Sequence, residues 1–137
     1  MAYTFTLTVT LSASPQEVFD AWLSSDGHTA MTGGVAHIDP TVGGAFDAWD
    51  GYITGKTLAL DPGRRILQTW RTLHFISNDP DSMIEVVLAP VGDATLLTLT
   101  HSNVPDGQTR YEEGGWQQFY FAPMQRRFEW LRMRATL

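Results

Sequence analysis

Residues 3–11 read Tyr-Thr-Phe-Thr-Leu-Thr-Val-Thr-Leu, a strict alternation of apolar and threonine positions. A strand turns successive side chains to opposite faces. Tyr3, Phe5, Leu7, Val9 and Leu11 therefore predict one buried face and the four threonines a wet one, as in an antiparallel sheet. Ser14, Pro15 and Glu17 predict a helix start: a serine cap, proline at the first helical position and a carboxylate in the first turn. Val18, Phe19, Trp22 and Leu23 give that helix its apolar side. Residues 24–27 break it, and a second short helix is predicted over 26–31, ended by Gly33-Gly34.

From there the period returns to two. Strands are predicted near 35–39, 43–48, 52–60, 65–74, 82–90 and 94–102, separated by turn signals such as Asp39-Pro40, Asp50-Gly51 and Gly92-Asp93. No gap is long enough for a parallel crossover, so the pairing is antiparallel throughout. The period changes once more near the end. Trp116, Phe119, Tyr120, Met124, Phe128 and Leu131 follow helical spacing and predict a helix over 109–132, about 36 Å long and kinked at Pro123.

The predicted class is α+β, with seven antiparallel strands, two short helices between the first two strands and one long C-terminal helix. One face of such a sheet needs a cover, and the long helix is the only element large enough to supply it. The sheet must curl around the helix, and a cylinder does not fill a curved trough, so a pocket between them is expected. At 137 residues the chain is expected to form one domain over 1–137.

Composition narrows the function classes. No cysteine is present, which excludes disulfides, thiolate metal sites and cysteine nucleophiles. The net charge of −6 argues against a nucleic-acid partner. No run approaches a membrane span and the N-terminus is not patterned as a signal peptide, so a soluble, cytoplasmic protein is expected. Residues 125–137 carry +3, leaving −9 on the rest. That suits a C-terminal helix dipole, or a docking patch for an acidic partner.

The chemistry-bearing residues are few. Alternation places His101 on the face of Leu97 and Leu99, towards the pocket. There it reads as an acid–base group, a ligand contact, or a histidine that bonds the backbone at a strand end. His74 continues the Ile66, Gln68 and Trp70 face, whereas His28 is expected at the surface and Arg71 outside. His37 and Asp39 share a face but have no third ligand, so no metal is expected. The glycine pairs match neither a phosphate loop nor a dinucleotide fingerprint, no Gly-x-Ser-x-Gly occurs, and no cofactor is expected. Trp22, Phe46, Tyr52, Trp70, Trp116, Phe119 and Tyr120 lie on separate elements that the fold would gather, as core filling or as pocket wall.

Ala21-Trp22, Met31-Thr32-Gly33-Gly34, Val42-Gly43-Gly44-x-Phe46, Asp50-Gly51-Tyr52-Ile53-x-Gly55, Trp70-Arg71, Leu97-x-Leu99-Thr100-His101, Val104-Pro105 and Gly115-Trp116 appear in this order. Together they resemble the homologues of the activator of the heat-shock protein 90 ATPase, over residues 3 to 130. That family belongs to the helix-grip superfamily, with START domains, birch-pollen-type allergens and polyketide cyclases. The resemblance implies a helix-grip fold and a cavity for a small hydrophobic or aromatic molecule, used for carriage, sensing or conversion. Trp22, Phe46, Tyr52, Trp70, His101, Trp116, Tyr120 and Met124 are the expected lining. A second expectation is a stand-alone protein-interaction module with a chaperone partner. A cyclase or hydrolase using His101 is a third, and homodimerisation is open.

Overall fold

The computed structural model describes residues 2–136. Strand β1 (Tyr3–Leu11) leads into helices α1 (Pro15–Trp22) and α2 (Ser25–Thr32). Six strands follow: β2 (His37–Ile38), β3 (Ala45–Ala48), β4 (Ile53–Asp61), β5 (Arg65–Thr72), β6 (Ser82–Val91) and β7 (Ala94–Val104). Two wide π-helical stretches, Tyr111–Gly115 and Gln117–Phe121, then run into helix α3 (Ala122–Ala135).

The seven strands form one curved antiparallel sheet in the order β1-β7-β6-β5-β4-β3-β2. Strands β2 to β7 are successive hairpins, and β1 returns to pair with β7 at the far edge. The chain must therefore cross from one edge to the other between β1 and β2, and α1 and α2 make that crossing. Helix α1 starts as its sequence requires. The Glu17 N–H donates to Ser14 Oγ at 3.2 Å and the Ser14 N–H to the Glu17 carboxylate at 3.1 Å, a reciprocal capping box with Pro15 just inside. Helix α2 ends on Gly33 in the left-handed conformation, φ 90°.

The core lies on the concave face. Val9, Leu11, Ile66, Ile84, Val86, Leu88, Leu97 and Leu99 are buried against α1 and the C-terminal helical segment, whereas the β1 threonines face outward. Val87 stands on the outer face of β6 and is exposed. Near its end β7 carries a bulge at Asn103, φ 57°, and the register with β1 shifts between Tyr3 and Phe5.

Three expectations change. The strand expected over 35–39 is only His37–Ile38, because the Val35 carbonyl is taken by the Asp50 N–H at 2.9 Å in a loop contact. The strand expected over 65–74 stops at Thr72, whose carbonyl accepts from the Phe75 N–H at 3.1 Å and turns the chain. The third change is the C-terminal helix, which is not one regular cylinder. Gly114, φ 149°, interrupts it, and i→i−5 bonds such as Ala122 N–H to the Gln117 carbonyl widen the turns before Pro123. Pro123 then falls in the first turn of α3, where its missing N–H costs little, so the expected kink is replaced by the wide stretch upstream.

Candidate functional site

A cavity of about 660 Å³ lies between the sheet and the wide stretch. Its buried wall is Ile53 from β4, Trp70 from β5, and Tyr111, Trp116 and Tyr120 from the wide stretch. Its mouth is formed by exposed His74, Arg110, Glu113 and Phe119, with half-buried Trp49 and Tyr52 from the β3–β4 turn. No residue of α3 lines it. The rings stack into one another: Trp70 to Trp116 is 5.4 Å between centroids, Trp116 to Tyr120 4.8 Å, and Trp70 to Tyr111 5.0 Å, edge-on. Such a space is within the usual range for small-molecule sites, which are mostly apolar with a few placed polar groups.

Four of the eight residues expected to line the cavity do so: Tyr52, Trp70, Trp116 and Tyr120. Trp22, Phe46, His101 and Met124 are buried in the surrounding core instead. For His101 the reason is visible in its bonds. The Trp116 indole N–H donates to His101 Nδ1 at 3.2 Å, so the proton resides on Nε2 and is donated to Ser82 Oγ at 2.8 Å. The serine in turn donates to the Trp70 carbonyl at 2.7 Å. Every polar position of this relay is used. With no exposed surface, His101 offers no nitrogen to a substrate, and burial lowers its pKa to about 3.

His28 was expected at the surface and is buried. Helix α2 turns it inward, where Nδ1–H donates to the Trp22 carbonyl at 2.9 Å and Nε2 accepts from the Tyr120 hydroxyl at 2.8 Å. It is the opposite tautomer to His101. Burial lowers its pKa to about 4 and raises that of the Tyr120 phenol. The eight-residue α2, with its polar sequence, gave no periodic signal from which this inward face could be read. Beside it the Trp22 indole donates to Gln68 Oε1 at 3.1 Å, and Gln68 Nε2 donates to Thr57 Oγ1 at 3.2 Å. These networks fix the backs of Trp116 and Tyr120, leaving their rings to form the wall.

The mouth has different chemistry. The β3–β4 turn runs through three consecutive left-handed residues, Trp49, Asp50 and Gly51, with φ of 51°, 58° and 85°. For a bulky residue this costs roughly 1–2 kcal/mol. The turn is held by the Asp50–Val35 contact and by Gly34, where a Cβ would come within 2.4 Å of the Trp49 ring. The Trp49 indole N–H is the one buried side-chain polar atom without a partner among the described residues, and the Phe119 ring stands edge-on to it at 5.4 Å. Next to the turn, the Tyr52 hydroxyl meets His74 Nδ1. Contrary to the expected continuation of the β5 face, His74 lies past the strand end, exposed at the rim. The Tyr111 phenol, deeper in, is pushed up to about 12, chiefly by burial and further by Tyr52 beside it. Arg71 lies on the outer face of β5, opposite Trp70, where its guanidinium bonds the Ile76 and Asp79 carbonyls and Asp81, bracing the β5–β6 connection that carries His74.

Trp49 and Tyr111 are among the lining residues that the alternation did not indicate. Trp49 lies in a turn, where periodicity carries no face information, and Tyr111 precedes the segment whose helical spacing is clear. Among the described residues no three histidine or carboxylate side chains gather as metal ligands, and no helix is long and apolar enough to cross a membrane.

A curved seven-stranded antiparallel sheet closed over a C-terminal helix, with two short helices after the first strand, defines the helix-grip class. Within it, the chain belongs to the family described as Activator of Hsp90 ATPase homolog 1-like protein, whose model matches residues 12–129. It is similar to an HSP90 activator from Plasmodium falciparum, with a TM-score of 0.79, 26% identity, and coverage of 88% of this chain and 91% of that one. It is also 25% identical over 123 residues to the mouse activator of 90 kDa heat shock protein ATPase homolog 1, covering 90% of this chain and 36% of that protein. The Dictyostelium discoideum homologue is 26% identical over 106 residues, 77% of this chain and 27% of that protein. The chain thus spans about a third or less of these two curated relatives.

Proposed function

We propose that the protein binds a small apolar or aromatic molecule in the cavity between the sheet and the wide helical stretch. The observation that carries this reading is the aromatic wall itself: Trp70, Trp116 and Tyr120 enclose space while the polar groups of Trp116 and Tyr120 are committed to His101 and His28. Filled cores interdigitate and leave few voids larger than a water molecule, so an aromatic-lined space of this size favours an occupant. Binding, carriage or sensing fits better than chemistry by His101, since both of its nitrogens are bonded. The test is thermal-shift screening against apolar and aromatic metabolites. Ligand at about 100 times its Kd stabilises the fold by roughly 2.7 kcal/mol. Hits confined to one chemical class are expected, and silence across all classes counts against the reading.

A second reading is a protein-interaction module acting on a chaperone of the heat-shock protein 90 type. It rests on the relatives' names as homologues of the activator of 90 kDa heat shock protein ATPase, of which this chain matches one part of the length. Stimulation of such a chaperone's ATPase that survives filling of the cavity supports it, and no effect at micromolar concentrations opposes it.

A further inference from the structure

We infer that the Tyr52 hydroxyl, oriented by His74, is a polar contact at the cavity mouth and selects neutral aromatic molecules carrying a hydroxyl group. This rests on the ligand-binding reading above. Most polar groups of the buried wall are committed elsewhere, the Trp70 indole N–H, which has no hydrogen-bond partner among the described residues, excepted. Trp116 donates to His101 and Tyr120 to His28, so both face the cavity with ring carbons. The Tyr111 hydroxyl donates to Gln108 Oε1 at 2.8 Å and accepts from Thr72 Oγ1 at 2.6 Å. The Trp49 N–H is enclosed. The Tyr52 hydroxyl stands nearer the mouth, beside the Tyr111 hydroxyl and bonded to His74 Nδ1, and His74 Nε2 has no partner among the described residues.

The pair is placed with care. The Leu73 N–H donates to the Tyr52 carbonyl at 3.1 Å, tying the β3–β4 turn to the segment that carries the histidine. The His74 N–H donates to Thr72 Oγ1 at 3.1 Å, and Gln108 Nε2 donates to the His74 carbonyl at 2.9 Å. The rings meet edge-on at 5.3 Å. Two loops and the segment before the wide stretch thus hold the phenol and imidazole together at the cavity mouth.

The pairing sets what the phenol can recognise. When His74 Nδ1 is unprotonated, Tyr52 donates to it, and the tyrosine oxygen can accept a hydrogen bond from a ligand. In the other tautomer His74 donates to the tyrosine oxygen, and the Tyr52 O–H is free to donate to a ligand. A ligand hydroxyl satisfies both arrangements, an ether oxygen only the second, and a methyl group neither. The rim adds a further preference. Arg110 and Glu113 stand there with opposite charges, so the mouth favours neither anion nor cation.

The experiment compares 2-naphthol, 2-methoxynaphthalene and 2-methylnaphthalene by calorimetry and amide NMR, on the wild-type chain and on Tyr52→Phe and His74→Ala. One net hydrogen bond corresponds to about a threefold to tenfold gain in affinity. The expected order is naphthol, methoxynaphthalene, methylnaphthalene in the wild type. In Tyr52→Phe the naphthol advantage should vanish while methylnaphthalene affinity stays within about twofold. In His74→Ala the methoxynaphthalene should gain on naphthol, because the tyrosine proton is released. Equal affinities in the wild type, or an advantage that survives Tyr52→Phe, would overturn the inference and leave the cavity reading standing. Failure of all three probes to bind the folded protein would overturn the ligand-binding reading, and the inference with it.

Discussion

The C-terminal helical segment covers the sheet in two different ways. Along α3 the trough is filled: Met124 and Phe128 are buried, and Gln125 Nε2 reaches the Thr10 carbonyl of β1 at 3.3 Å. Along the wide stretch from Tyr111 to Phe121 the same trough holds a cavity walled by indole and phenol rings. The composition of the facing strands contributes. Opposite α3 the wall is aliphatic and packs closely, whereas Trp70 on β5 is a flat ring beside other flat rings. Behind the aromatic wall lie buried polar groups, His28, Gln68 and His101, each hydrogen-bonded to its neighbours. The lesson is that one helix-over-sheet arrangement can be a core at one end and a container at the other. The backbone feature that separates them is the break at Gly114 with the wide turns that follow.

The comparison makes unequal demands on stability. The largest expected effect is acid sensitivity of the sealed polar layer. The folded pKa values of His28 and His101 are lowered to about 4 and about 3, below the ordinary 6.5, so the unfolded chain binds protons that the folded one refuses. These contributions are complete above about pH 6.5 and fall as pH drops, at most ~1.4 kcal/mol per unit per histidine. The His28 share is exhausted near pH 4 and the His101 share near pH 3. Denaturant melts at pH 7 and pH 5 should differ by up to ~4 kcal/mol, and His101→Gln should flatten part of that slope.

Comparable in size is Phe128→Ala in the filled half, expected to cost about 3–5 kcal/mol by leaving a void. Phe119→Ala in the cavity half should cost less than about 1 kcal/mol, since Phe119 is 46% exposed. Equal losses would break the distinction between the two halves. Gly114→Ala is expected to cost about 1 kcal/mol or somewhat more, because φ of 149° strains an L-residue although open space surrounds a Cβ there. Its chemical-denaturation midpoint checks this. The smallest effect is that of Trp49→Phe, within about 1 kcal/mol, since it deletes a donor that has no partner.

Much of this architecture is legible in the chain. The threonine alternation of β1, the Ser14–Glu17 cap and the hairpin punctuation all report local backbone preferences, and the family motifs supply the closure of sheet over helix. The cavity itself was legible only in part. Tyr52, Trp70, Trp116 and Tyr120 line it, but Trp22, Phe46 and Met124 have the same apolar character and fill the core. Hydrophobic pattern says that a side chain points inward, not whether the space it meets is occupied. His101 shows the same limit: alternation pointed it inward, yet its partners Ser82 and Trp116 come from distant parts of the chain. Trp49 sits in a turn, where no period exists to read, and His74 shares the cavity with Trp70 although the strand ends before it.

The most direct test of the central claim uses the five tryptophans as internal reporters. Their indole N–H resonances can be followed during titration of the protein with 2-naphthol. Trp49, Trp70 and Trp116 border the cavity, whereas Trp22 is buried beside Gln68 and Trp130 is exposed on α3 between Arg127 and Arg134. The account predicts saturable shifts at the first three and little change at Trp22 and Trp130. Shifts centred on Trp130, or none at any indole in the folded protein, would contradict it.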